Sequence, residues 1–326
     1  MRRRQFLAAA GGAAVWPVAG RTQSHRMRRI GVLIGISAGD AELQRRIARL
    51  RQRLRDLGWT DADVALEVWS AEGKLDRLPT LAAELVEAKV DAIVTGGTEP
   101  VQAARRATGT IPIVMASIGD AVGAGIVPSL ARPGGNVTGL TLVSTEQGTK
   151  RLELMKEILP GLVRVAALWN GNNVSQRLEL EGMNRASALL GLQLQSIPLR
   201  NAGDLDPGFQ AAIQGGAKAL VTMEDALVVF LRPRIVALAM REKLPVVGEF
   251  RVMSADGGLM SYGPSLIEMW GQTAGYIDKI FKGVKPGDLP IQAPTKFELV
   301  INLRTAKALG LTIPEALLLR ADEVIE

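Results

Sequence analysis

The chain has 326 residues, with 39 Lys and Arg, 33 Asp and Glu, one His and no Cys. That length points to two domains, and 47% apolar against 22% charged residues points to a globular chain, not a disordered one. The absence of Cys excludes disulfides, thiolate metal sites and Cys nucleophiles, and His25 alone cannot make a His-rich metal centre or a Ser-His-Asp triad.

The charge excess sits at the start. Residues 1–27 hold Arg2, Arg3, Arg4, Arg21 and Arg26 and no acid, which leaves the rest of the chain at +1. A nucleic-acid-binding body is therefore not expected. Arg3-Arg4-Gln5-Phe6-Leu7 leads into an apolar, small-residue stretch that ends near Val18-Ala19-Gly20. A basic start, a short apolar middle and a small-residue exit read as an export leader over 1–27, with a twin-arginine-like order. The mature chain is then expected to be soluble and periplasmic, with the leader cleaved.

From residue 28 the pattern alternates strand and helix. The run 30–34 is short and apolar and reads as a buried parallel strand. Leu43, Ile47, Leu50, Leu54 and Leu57 recur at helical spacing over 42–57, between arginines that read as a solvated face. Strands follow at 64–69, 92–95, 111–116 and 137–142, and helices at 78–88, 100–107 and 122–130. A second series of the same kind has helices at 146–159, 174–190, 205–214, 226–242, 265–281 and 305–309. Its strands are at 163–169, 192–199, 219–223, 245–248, 259–262 and 297–303. Pro233 is expected to interrupt its helix.

Such alternation predicts an α/β fold of two doubly wound, Rossmann-like lobes. Ligands then bind beyond the C-terminal strand ends, in the cleft between lobes. Ser37 follows the first strand, as a ligand group or as a cap for the next helix. Gly96-Gly97-Thr98-Glu99-Pro100 has two Gly for close approach, Thr98 as an expected N-cap, and a helix start that attracts an anion. Ser117 ends the fourth strand, with Asp120 beyond it. Asn170, Asp225, Glu249 and Phe250 end strands of the second series. A carboxylate there either meets a ligand ammonium or caps a helix. Trp169, Phe250 and Tyr262 either stack on a ligand or belong to the core. No phosphate-binding glycine motif, metal set or catalytic constellation is present in the sequence, so neither cofactor nor turnover is expected.

Several stretches are similar to one family. They are Arg29-Ile30-Gly31-Val32-Leu33, Asp76-Arg77-Leu78-Pro79 and Ser129-Leu130-Ala131-Arg132-Pro133-Gly134-Gly135-Asn136-Val137-Thr138-Gly139-Leu140. Gly257-Gly258-Leu259-Met260-Ser261-Tyr262-Gly263 and Pro294-Thr295-Lys296-Phe297-Glu298-Leu299-Val300-Ile301-Asn302-Leu303 follow. The chain resembles the substrate-binding proteins of bacterial ABC transporters, in the subgroup similar to binders of tryptophan and aromatic amino acids.

The resemblance implies a type I periplasmic binding fold with three crossings, near 142–144, 258–264 and 290–294. The lobes would be 28–142 plus about 264–290, and 143–263 plus about 291–326. It implies a monomer that captures a small carboxylate-bearing solute by hinge closure and docks on a membrane permease. Gly97 and Thr98 match the carboxylate site by position, and Ser37 and Asp225 match pocket-lining strand ends. Val247-Gly248 departs from relatives that carry an aromatic there, which counts against an aromatic ligand stacked at that point. A periplasmic sensor serving a membrane receptor shares all these features. An enzyme on two Rossmann-like lobes is the remaining class, since fold does not fix function.

Overall fold

The computed structural model describes residues 26–142, 145–223 and 225–326. The expected leader lies outside the described residues except for Arg26 and Met27. β1 (Arg28–Ile34) is buried through its last five positions, as its apolar run requires. α1 (Ala41–Asp56) starts at Asp40, whose carboxylate accepts from the Glu42 and Leu43 N–H groups. Leu43, Ile47, Leu50 and Leu54 form its buried face. β2 (Val64–Ser70), α2 (Leu78–Glu87), β3 (Ala92–Gly96), α3 (Thr98–Ala107), β4 (Ile113–Ser117) and β5 (Val137–Gly139) continue the winding. Their sheet runs β2-β1-β3-β4-β5, and every neighbouring pair is parallel.

The second series opens with α4 (Thr145–Ile158), β6 (Arg164–Asn170), α5 (Val174–Leu189), β7 (Gln193–Leu199) and α6 (Leu205–Gln214). It continues through β8 (Ala219–Thr222), α7 (Ala226–Arg241), β9 (Val246–Gly248), α8 (Arg251–Ala255) and β10 (Met260–Gly263). α9 (Leu266–Phe281) follows, then β11 (Glu298–Asn302), α10 (Leu303–Leu309), α11 (Glu315–Leu318) and β12 (Glu323–Ile325). This sheet runs β12-β11-β10-β9-β8-β6-β7, with β10 and β11 as its antiparallel pair.

The chain passes between the two sheets three times: from β5 to α4, from β10 to α9, and from α9 back to β11. α9 packs on α1 and β4, so it belongs with the first sheet. Ile291 donates to the Leu130 carbonyl and Gln292 to that of Gly139, which keeps both residues on the first lobe. The last passage therefore falls between Gln292 and β11.

Four expectations change. The helix expected at 122–130 is a series of turns: Asp120 accepts from the Val122 and Gly123 N–H groups, and Gly125 has φ +66°. Pro233 does not break α7. A proline leaves the carbonyl four residues back without its N–H partner, and here the Arg232 guanidinium donates to that Val229 carbonyl at 2.8 Å. The arginines of α1 are not simply solvated. Arg46 is buried, Arg49 and Arg53 pair with Glu268 of α9, and Arg51 and Arg55 pair with Asp61. The short α8, α11 and β12 had no counterpart in the sequence pattern.

Each lobe has its own apolar core, and a further apolar cluster runs across the junction. Ala226, Val229, Phe250 and Val252 from the second lobe pack with Ile34, Ile36, Leu43 and Trp270 of the first. An ideal Cβ on Gly35 would lie 2.5 Å from the Ala226 Cβ. The lobes are thus in direct contact in this conformation, and Gly35 is one of the residues that permit it.

Candidate functional site

The C-terminal ends of β1, β3 and β4 face those of β6, β8 and β9 across a cavity. Gly97, Thr98 and Ser117 line it from the first lobe, with Asn173, Ser175, Asp225, Glu249 and Phe250 opposite. It measures about 70 Å³ as swept by the centre of a water molecule. One water needs roughly 10–15 Å³ on that measure, so the space suits a small molecule. Most of the wall is apolar, with Leu43, Leu142, Val229, Leu266 and Trp270 among its residues.

Gly97 (φ +95°) occupies the N-cap of α3, a conformation that favours glycine. Thr98 is therefore the first helical residue and not the cap. Its buried hydroxyl donates across the cleft to Ser175 Oγ at 3.3 Å. The Gly97 N–H is already engaged, donating to the Ser117 carbonyl at 2.6 Å. Of the loop's amides, the Gly97 N–H is therefore not free for an anion in this conformation. The Thr98 N–H lies in the first turn of α3, where no intrahelical acceptor exists. Gly96 leaves room for the ring of Trp270, which would stand 3.2 Å from a Cβ there.

On the second lobe Asp225 is the N-cap of α7. One oxygen accepts from the Leu227 and Val228 N–H groups and the other from Asn170 and Asn173. Of the two alternatives read from the sequence, the cap is the one seen here, and the residue also lines the cavity. Asn170 does not reach the cavity surface. Its amide nitrogen donates to Glu99 Oε1 at 2.5 Å and to Asp225 Oδ2 at 2.6 Å, joining α3 of one lobe to α7 of the other. Ser37 is also off the cavity. Its hydroxyl serves the Gly39 N–H and Glu72, while Asp40 takes the helix cap. Trp169 donates to Ser196, and Tyr262 stacks on Phe297 at 5.9 Å. Neither ring lines the cavity; of the three aromatics singled out, Phe250 alone does.

Burial, and then the charge of Asp225, push the Glu99 carboxyl well above the usual range. Burial also raises Asp225, against the pull of the Val228 N–H, Asn170 and Asn173. Across the same junction Arg232 of α7 donates to Asp40 at 2.6 Å and to Asp256 at 2.7 Å. Burial works against the Asp40 charge, but the Leu43 N–H and Arg232 outweigh it and leave that carboxyl below its ordinary range.

Sequence reasoning missed Glu179 and Trp270, read Arg46 as solvated, and gave Glu99 no role of its own. Glu179 on α5 is buried against Arg151 of α4. The start of α5 was findable, because Asn173 and Ser175 follow a strand end like the positions already singled out. Trp270 carried no such signal, since it lies mid-helix on α9. Among the described residues no cluster of His, Cys, Asp or Glu is arranged to hold a metal ion, and no helix is long and apolar enough to cross a membrane.

The family model for ABC transporter substrate binding proteins matches residues 29–325. The chain belongs to that family. This substrate-binding protein has the type I periplasmic fold, in a family whose members are extracytoplasmic components of transporters. It is 27% identical over 261 residues to a tyrosine-binding protein of Clostridioides difficile (strain R20291), covering 79% of this chain and 74% of that one. A conserved domain protein from Vibrio cholerae superposes with a TM-score of 0.86 at 28% identity, over 92% of this chain and all of that one. An ABC domain from Streptococcus pneumonia in complex with L-Trp gives 0.85 at 26% identity, over 92% of this chain and all of the other.

Proposed function

We propose that this protein captures an amino acid in the cleft between its lobes and delivers it, chemically unchanged, to an ABC permease for import. The observation that carries this reading is the cavity itself. It is small, enclosed by both lobes, and has hydroxyl donors on one side and carboxylates on the other. The Thr98 hydroxyl and the Thr98 N–H at the start of α3 take the solute carboxylate. Glu249 and Asp225 give its ammonium an acidic wall. Leu43, Phe250 and Trp270 enclose an apolar or aromatic side chain. Val247, the departure from an aromatic noted in the sequence, is buried in the core of the second lobe and does not line the cavity, so it does not count against an aromatic ligand. The names of the relatives, a tyrosine binder and an L-Trp complex, favour the same class.

The three passages between lobes act as the hinge. Solute enters the open form, and the closed form is selected because it touches solute from both sides. The leader exports the chain, which works as a monomer in the periplasm. The test is thermal unfolding of residues 28–326 against amino acids, organic acids, nucleosides and sugars. A ligand that binds only the folded state raises the midpoint in proportion to the logarithm of its excess over Kd. A concentration-dependent rise confined to amino acids supports the proposal; a rise confined to sugars or nucleosides overturns it.

A further inference from the structure

Glu99 has no part in solute capture as proposed, and its pairing with Asp225 of the cavity wall is unusual. The two carboxyls come from different lobes and both accept from the single amide nitrogen of Asn170, at 2.5 and 2.6 Å. Their oxygens are therefore within about 5 Å of each other, a spacing at which two buried carboxylates resist ionising together. Asp225 accepts four hydrogen bonds, two from backbone N–H groups and two from side-chain amides. Glu99 has the Asn170 amide on one oxygen, while Oε2 is buried and takes no hydrogen bond from a side chain of the described residues. Asp225 is the better hydrogen-bonded of the two, which favours its charged form and makes Glu99 the better place for a proton.

We propose that Glu99 and Asp225 share one proton across the cleft, and that this proton is a latch holding the lobes closed. Opening separates α3 from α7, exposes both carboxyls to water and returns Glu99 to the ordinary range, near 4.3. The closed form therefore binds more protons than the open form above that value. Closure is favoured at low pH and weakens as pH rises from the open-state range towards the raised value of the closed pair.

The groups around the pair are few. Asn170 faces it from the end of β6 and Asn173 from the cap of α5, both uncharged. The charged side chains on the same cavity are Arg46 of α1, Glu249 beyond β9, and Glu179 of α5, the last tied to Arg151 of α4. Glu224, next in the chain to Asp225, lies outside the described residues. The sequence isolates the signal, because the one His is His25 and there is no Cys. From residue 26 onward, no side chain of ordinary pKa titrates between about pH 5.5 and 8. Glu298, which burial also raises, stands at the start of β11, off the cavity.

The inference rests on the hinge reading, and the test separates the two. Nitroxide labels at Glu87→Cys and Leu189→Cys, in a chain with no native Cys, report the distance between lobes of the full chain without solute. A Gly35→Leu variant is the opening control, since its side chain is driven into Ala226 of the facing lobe. The expected result is a lobe separation that grows between pH 5 and pH 8 in the wild type. It stays short at both values in Glu99→Gln, whose amide replaces the shared proton and whose oxygen still accepts from Asn170. A separation independent of pH in the wild type, with the Gly35→Leu control open, overturns the latch alone. No change even in that control overturns the hinge and the latch together.

Discussion

Replacing Thr98 by Val keeps the shape of a buried side chain and removes one hydroxyl. That hydroxyl bonds Ser175 across the cleft at 3.3 Å, a long contact, so its loss weakens closure by about 0.5–1 kcal/mol. In the proposed complex the same hydroxyl also donates to the solute carboxylate, a bond to a charged acceptor worth about 1.5–3 kcal/mol. When it does so, Ser175 becomes the donor to Thr98, so Val removes both contacts at once. The total is roughly 2–4 kcal/mol, which raises Kd some 30- to 700-fold. The assay is titration calorimetry with the amino acid that gives the largest thermal shift, on wild type and variant side by side. Far-UV circular dichroism and the ligand-free unfolding midpoint establish that the fold is intact. A Kd within threefold of wild type in a folded variant refutes the assignment of Thr98 to the carboxylate. A loss of only threefold to fivefold leaves Thr98 as a lobe contact and nothing more.

Three further outcomes follow from the packing. Arg151→Met leaves Glu179 buried without its ion-pair partner and should destabilise the protein by about 3–5 kcal/mol in urea unfolding, whereas Arg151→Met with Glu179→Leu recovers most of that loss; equal stability of the single and double variants counts against it. Gly139→Ala places a Cβ 2.2 Å from the Met115 carbonyl oxygen at φ +124° and should cost more than about 4 kcal/mol or prevent folding, so a variant with wild-type stability would contradict the close approach of β5 to β4. Trp270→Phe should abolish most of the solute-induced change in tryptophan emission, because Trp270 lines the cavity and Trp169 does not; an unchanged response would place the solute elsewhere.

The winding of both lobes was legible because period and punctuation agreed. Apolar runs such as 30–34 and 92–95 end in glycines, and the intervening helices carry one apolar face. Where local and tertiary demands diverged, the reading failed. Pro233 looks like a breaker until Arg232 supplies a donor for the Val229 carbonyl, and 122–130 looks helical until Asp120 turns the chain on itself. The strand-end rule found Gly97, Thr98, Ser117, Asp225, Glu249 and Phe250, all on the cavity. It also selected Ser37 and Asn170, which stand at strand ends but face a surface loop and the lobe junction. Arg46 and Trp270 were hidden for another reason: each lies mid-helix, where only the docking of that helix decides what it faces.

The account depends most on the zwitterion fitting between hydroxyls on one lobe and carboxylates on the other. Calorimetric titration of the wild type with L-tyrosine, L-tryptophan, tyramine and 4-hydroxyphenylpropionate tests it directly, because the last two each lack one charged end. One amino acid binding at one site per chain, with both truncated analogues at least tenfold weaker and the ligand recovered unaltered by mass spectrometry, is the predicted result. Tyramine or the phenylpropionate binding as tightly as the amino acid, or a bound ligand recovered as a different compound, would contradict it.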